Sequence, residues 1–119
     1  MTNLEGVRGD TNNYAGTVRD STGAVVDLTS ATLRFTAKLS YADGDNAATT
    51  IRKTTGSGIT HTNAAQGAYR ITLAPADTSS LAVATVYVWD LQLTTGAGDV
   101  FTVDSGLLAI SPDVGVTTP

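Results

Sequence analysis

Near the C-terminal third, Tyr87, Trp89, Leu91 and Leu93 fall at every second position, with Asp90, Gln92 and Thr94 between them. Successive side chains of a strand point to opposite faces, so this alternation dictates a sheet with one buried and one wet face. The chain's only Trp sits inside the buried set. Just upstream, residues 68–73 place Tyr69, Ile71 and Leu73 on one face, and 75–81 reads as a short helical turn opened by Pro75. The accents of this region are for packing, not for catalysis.

The same period recurs. Over residues 32–41, Leu33, Phe35, Ala37, Leu39 and Tyr41 alternate with Thr32, Arg34, Thr36, Lys38 and Ser40. Shorter strands are expected at 4–8 and 14–20, around a Gly9-Asp10-Thr11-Asn12-Asn13 turn. A turn at Asp20-Ser21-Thr22-Gly23 leads to a return strand at 25–28. Further strands are expected at 49–54 with Ile51 inward, 59–62, 84–95, 100–104 and 107–110, with Gly106 as a bulge or bend. About seven to nine strands at spacings of roughly ten residues are the signature of an antiparallel β-sandwich, here with one short helical turn. A length of 119 residues suits one domain, 1–110, followed by an extended tail, 111–119, either disordered or added to a neighbour's sheet edge.

Composition agrees. Charge is sparse at 15%, Gly is frequent at 12, and Thr and Val favour sheet. A net charge of −4 argues against nucleic acid and anionic membrane surfaces, both of which need Lys and Arg. The absence of Cys excludes disulfides, thiolate catalysis and cysteine zinc sites, and fits a reducing compartment. The polar start MTNLEGVRGD has no hydrophobic signal core, and no run reaches the ~20 apolar residues of a membrane span.

Residues with chemical potential are few. Arg8-Gly9-Asp10 matches the integrin tripeptide but reads as a strand end and turn. Asp43-Gly44-Asp45-Asn46 gathers oxygen donors, yet no Glu follows to complete a calcium loop, Glu5 being the only one, so a hairpin tip is expected. His61 is the sole His and has neither Cys nor a second His for zinc. No activated-serine context surrounds it. Gly96-Ala97-Gly98 reads as a hairpin connection, not a phosphate cradle. Phe35, Tyr69, Tyr87, Trp89 and Phe101 fall on inward positions and are expected in the core, leaving Tyr14 and Tyr41 as the more exposed rings. We therefore expect no enzyme, no catalytic or metal residues and no cofactor.

The ordered set Arg8-Gly9-Asp10-Thr11, Asp20-Ser21-Thr22-Gly23, Asp27 through Phe35, Gly67-Ala68-Tyr69, Ala76 through Leu81, Tyr87 through Gln92, Gly106 and Ser111-Pro112-Asp113-Val114 resembles a known family. It is similar to the immunoglobulin-like N-terminal domain of tailed-phage baseplate upper proteins and to related stand-alone virion proteins, over nearly the whole chain. The resemblance implies a non-enzymatic virion component, made in the host cytoplasm, that docks on tail, baseplate, neck or head proteins as a symmetric homo-oligomer. No coiled coil or receptor-binding extension follows the sandwich, so decoration of a capsid or neck fits as well as a baseplate. Met1 to Leu4 and Val114 to Pro119 are expected to order on assembly, and strand edges to offer unpaired backbone groups. The alternative is a glycan-binding or adhesion module that uses the loops at one end of the sandwich.

Overall fold

A computed structural model describes residues 3–40, 50–78 and 85–111. Among them are eight strands: β1 Leu4–Val7, β2 Asn12–Thr17, β3 Thr32–Lys38, β4 Ile51–Thr55, β5 Gly58–Asn63, β6 Ala68–Leu73, β7 Thr85–Thr94 and β8 Val100–Ser111. A 3-10 turn at Ala64–Gln66 joins β5 to β6, and one helical turn, α1 Pro75–Thr78, precedes β7. The strands form one sheet in the order β1-β8-β7-β3-β4-β5-β6-β2. The all-β expectation and the helical turn hold, but the expected antiparallel sheet is corrected to a mixed one. β1 runs parallel to β8, and β4 runs parallel to β5 for two residue pairs, Thr54 with Gly58 and Thr55 with Ile59. That short pairing is a crease. Gly56 and Gly58 supply its positive φ angles, which L side chains disfavour. The sheet folds over there, so its inner faces meet and the molecule is nearly a closed barrel.

The inner face is what the alternation demands. Leu33, Phe35 and Ala37 of β3, Tyr87, Trp89, Leu91 and Leu93 of β7, and Leu108 and Ile110 of β8 are buried against Ile59, Tyr69, Ile71 and Leu73. Phe35 and Trp89 touch ring to ring at 5.5 Å between centroids. The Ala74 backbone N–H is held by the Asp77 carboxylate at 2.7 Å, which caps α1 one turn in.

Several expected elements are corrected. The two first strands do not pair with each other: β1 joins β8 and β2 joins β6. Gly9 turns the chain between them at φ 75° and donates its buried N–H to Thr78 Oγ1 at 2.9 Å. The return strand at 25–28 is reduced to a single bridge, Arg19 with Val25. Leu28 is instead a loop residue, fully buried and anchored by its N–H on Ala64 O. Leu39, expected inward, is 41% exposed, because β3 pairs with β7 only as far as Lys38. β8 is continuous through Gly106, which faces Trp89. The register slip lies elsewhere, where Leu91 faces Asp104 but Gln92 faces Thr102, leaving Val103 as the extra residue. Tyr41, the 43–46 tip, residues 79–84 and the tail from 112 lie outside the described residues.

The end strands β1 and β2 approach without a ladder and are bridged by side chains. Tyr14 Oη donates to Glu5 O at 2.9 Å, and Asn12 Nδ2 donates to Val7 O at 3.3 Å. Val7 N reaches Asn12 Oδ1 at 3.5 Å. Gly6 makes this approach feasible: a Cβ there would lie 2.8 Å from Tyr14 Oη and 3.0 Å from Asn12 Cγ. The seam thus occupies backbone groups that the sequence assigned to neighbours. Asn12→Ala removes the bridges to β1 and should cost about 1 kcal/mol, an ordinary net value for hydrogen bonds at the surface. Faster hydrogen exchange at Val7, with the β7 amides unchanged, is the expected companion result.

Candidate functional site

Two concave regions stand out among the described residues. The first is a polar trough of about 410 Å³ on the outer face of β3, β7 and β8. Pairing places Arg34 beside Gln92 and Thr36 beside Asp90, all facing away from the core. Arg34 Nη2 donates to Gln92 Oε1 at 2.6 Å. Next along the same face, Val88 faces Leu107 and Val86 faces Ala109, with Glu5 and Val7 of β1 beyond. Val86 is 54% exposed and Leu107 40%. A polar centre therefore borders an apolar strip, a pattern suited to contact with another macromolecule.

The second is a cavity of about 440 Å³ at the open end of the fold, between the 18–26 loop and the start of β8. Val18, Val26, Leu93, Phe101 and Val103 line it, with Arg19 and Asp20 at its rim. Both rim charges are engaged locally. Arg19 Nη1 donates to Gly23 O at 3.0 Å, and Asp20 Oδ1 accepts from Thr22 N, Thr22 Oγ1 and Ala24 N. These bonds, the Thr22 hydroxyl first, hold the Asp20 carboxyl below the ordinary 3.8. Asp27 is lowered in the same way by Thr29.

A depressed carboxyl stabilises the fold above its unfolded pKa, and that contribution disappears as pH falls through the lower folded value. As pH falls below about 4, the urea midpoint should therefore drop more steeply in the native chain than in Asp20→Asn, which keeps an acceptor but cannot titrate. Equal slopes would remove Asp20 from the account.

The residues singled out in the sequence are scattered. Arg8, Gly9 and Asp10 form the turn between β1 and β2, with Gly9 buried and the Asp10 N–H donating to Val7 O. His61 Nε2 lies 3.0 Å from Thr55 Oγ1, which already accepts the Leu33 N–H at 2.9 Å. That pair ties the β4–β5 crease to β3. Gly96-Ala97-Gly98 forms the β7–β8 hairpin tip, closed by the Thr95 N–H on Asp99 O. Among the described residues no group of His, Asp and Glu is arranged to hold a metal ion. No helix among them is long and apolar enough to cross a membrane.

The rings divide differently from expectation. Tyr69, Tyr87, Trp89 and Phe35 are buried, but Phe101 is 56% exposed, overturning its core assignment. Burial raises the hydroxyl pKa of Tyr14, Tyr69 and Tyr87, with Asp104 adding to it at Tyr69 and Asp77 at Tyr87. Tyr14, expected to be exposed, is half-buried in the seam. Sequence reasoning missed the apolar strip and the end cavity. Val86 and Val88, bracketing inward Tyr87, were the available signal for the strip. The cavity depends on a bulge that no local pattern shows. No family model matches this chain, and no curated protein is similar to it above chance.

Proposed function

We propose that this chain is a non-enzymatic, immunoglobulin-like assembly module of a tailed-phage virion. The observation that carries the immunoglobulin-like part of the reading is the strand order, and the virion part follows from the resemblance of the turn and strand motifs. Cut at the crease, it gives one layer β1-β8-β7-β3-β4 and another β5-β6-β2. Relabelled in chain order, these layers would match the G-F-C group with an edge strand added on each side, β1 and β4, and the B-E-D group of immunoglobulin-like sandwiches. Tyr87 stands two residues before Trp89 at the start of β7, the place of the tyrosine corner, with Trp89 where antibody domains carry a disulfide Cys. The Phe35–Trp89 contact fills that position with packed rings. Such a scaffold works by presenting surfaces, and the strip of Val86, Leu107 and Ala109 beside the polar trough is the surface best formed for another virion protein. Repetition around a symmetric particle turns a weak contact into a firm one.

Two measurements test this. The chain should be found in multiple copies in purified particles. Val86→Lys combined with Leu107→Lys should reduce its incorporation about tenfold or more with the circular dichroism spectrum preserved, since burying unpaired charge in a contact costs more than about 1.4 kcal/mol. A protein missing from particles, or a double variant incorporated normally, defeats the proposal. The glycan reading rests on Phe101, the one exposed ring among the described residues. It predicts saturable binding on a glycan array.

A further inference from the structure

The register slip in β8 does more than bend a strand. Inward positions at the far end of β8 are even-numbered, Gly106, Leu108 and Ile110. In an unslipped ladder Val103 would face Gln92, and Phe101 would fall opposite Thr94 on the outer face. With the slip, Phe101 pairs across from Leu93 and stands on the core side of the sheet. There it runs past the end of the core, so its ring overhangs the cavity and stays 56% exposed. Bulges that re-aim a side chain are a device found beside binding sites.

The cavity below that ring is selective. Val18 and Leu93, almost fully buried at 3% and 4%, lie with Val26 and Val103 in its lining, all aliphatic carbon. Its volume is that of a small-molecule pocket. The rim charges of Arg19 and Asp20 already have partners within their own loop, which favours a neutral occupant. The remaining polar groups are the hydroxyls of Ser21, Thr95 and Thr102. The cavity's polar groups sit with Arg19, Asp20, Ser21, Thr95 and Thr102, and the aliphatic part offers no replacement for water around a sugar's hydroxyls, which favours an apolar ring over a glycan. Apolar exposure continues on either side, at Val25 and Val100, so the occupant is larger than the cavity encloses.

We infer that this cavity is an anchor pocket for one neutral, ring-bearing side chain of a partner polypeptide, stacked on Phe101 and seated on Val18, Val26 and Val103. The inference deepens the assembly reading and rests on it for the source of the ring. Ring capture itself is a property of the isolated chain.

The test is a titration of the isotope-labelled chain, followed by amide chemical shifts, with N-acetyl-phenylalaninamide. N-acetyl-glycinamide and methyl glucoside serve as comparison probes. The ring-bearing probe should produce saturable shifts centred on Val18, Val26, Phe101 and Val103, and the other two should not. Phe101→Ser should weaken binding about tenfold, because an aromatic contact is lost from a site where it supplies much of the affinity. Val26→Trp should fill the cavity and abolish it. If Val26→Trp fails to fold, Phe101→Ser still decides, since its ring is already largely in solvent. Shifts elsewhere, equal response to either comparison probe, or unchanged binding by Phe101→Ser overturns the pocket. Ring binding by a chain that is missing from particles would defeat the virion reading and leave the pocket standing.

Discussion

Replacing Trp89 with Ala should lower the unfolding free energy by about 3–5 kcal/mol, toward the upper end of that range. The indole is 6% exposed and stacks on Phe35. Its neighbours across the ladder are Ala37 on β3 and Gly106 on β8. Neither has side-chain atoms that could swing into the vacated space, so the hole persists, and a persistent hole adds to the lost transfer energy. Trp89→Phe separates ring burial from the polar tip. The Trp89 Nε1–H is buried without a hydrogen-bond partner among the described residues. Phe deletes that group while keeping a ring against Phe35, so its cost should stay below about 2 kcal/mol. Urea unfolding of the two variants, at unchanged slope, reads the comparison. A Trp89→Ala loss under about 1 kcal/mol would mean the side chain is not in the core.

Gly67→Ala should be nearly as damaging, for a different reason. Gly67 ends the 3-10 turn in the left-handed region, at φ 73° and ψ 12°. An L residue there costs about 1–2 kcal/mol. A Cβ at that point would also lie 2.8 Å from both Val18 O and Val26 O, which are backbone atoms and cannot rotate aside. Gly67 O meanwhile accepts from Val18 N, and Val18 O from Val26 N. The substitution therefore prises the 18–28 loop from the β5–β6 connection, for a total of about 3 kcal/mol or more. Gly23→Ala is the matched comparison. Its φ is 86° with nothing within 4 Å of the added carbon, so it reports conformational strain alone, about 1 kcal/mol. Equal losses for the two variants would show that the Gly67 contact carries no weight.

The strands that alternate strongly are legible in the sequence. Residues 68–73 are β6 as expected, and β7 ends within one residue of its expected bounds on each side. Their inward residues are the ones buried. Pairing is not legible in the same way. Nothing local to Leu4–Val7 says that it joins β8 in parallel, because a parallel partner lies a whole chain away. The Val103 slip is defined only against β7, so alternation alone could not say that Phe101 stands beyond the core. Leu28 misled in the opposite sense. Its apolar run with Val25 and Val26 suggested a strand, yet its burial is achieved by a loop whose N–H groups find Ala64 and Val18 carbonyls. The outer strip was obscured because Val86 and Val88 satisfy strand propensity whether they face core or partner.

The parallel placement of β1 beside β8, held by Leu4 with Leu108 through Val7 with Ser111 and by the Arg8 N–H on Ser111 O, also has a mechanical consequence. Tension applied at the start of β1 and at the finish of β8 pulls these neighbours in opposite senses along their shared length. All their cross-links are then loaded together in shear, rather than one after another as in a peeled hairpin. A fold wired this way should yield late and abruptly when stretched between those points.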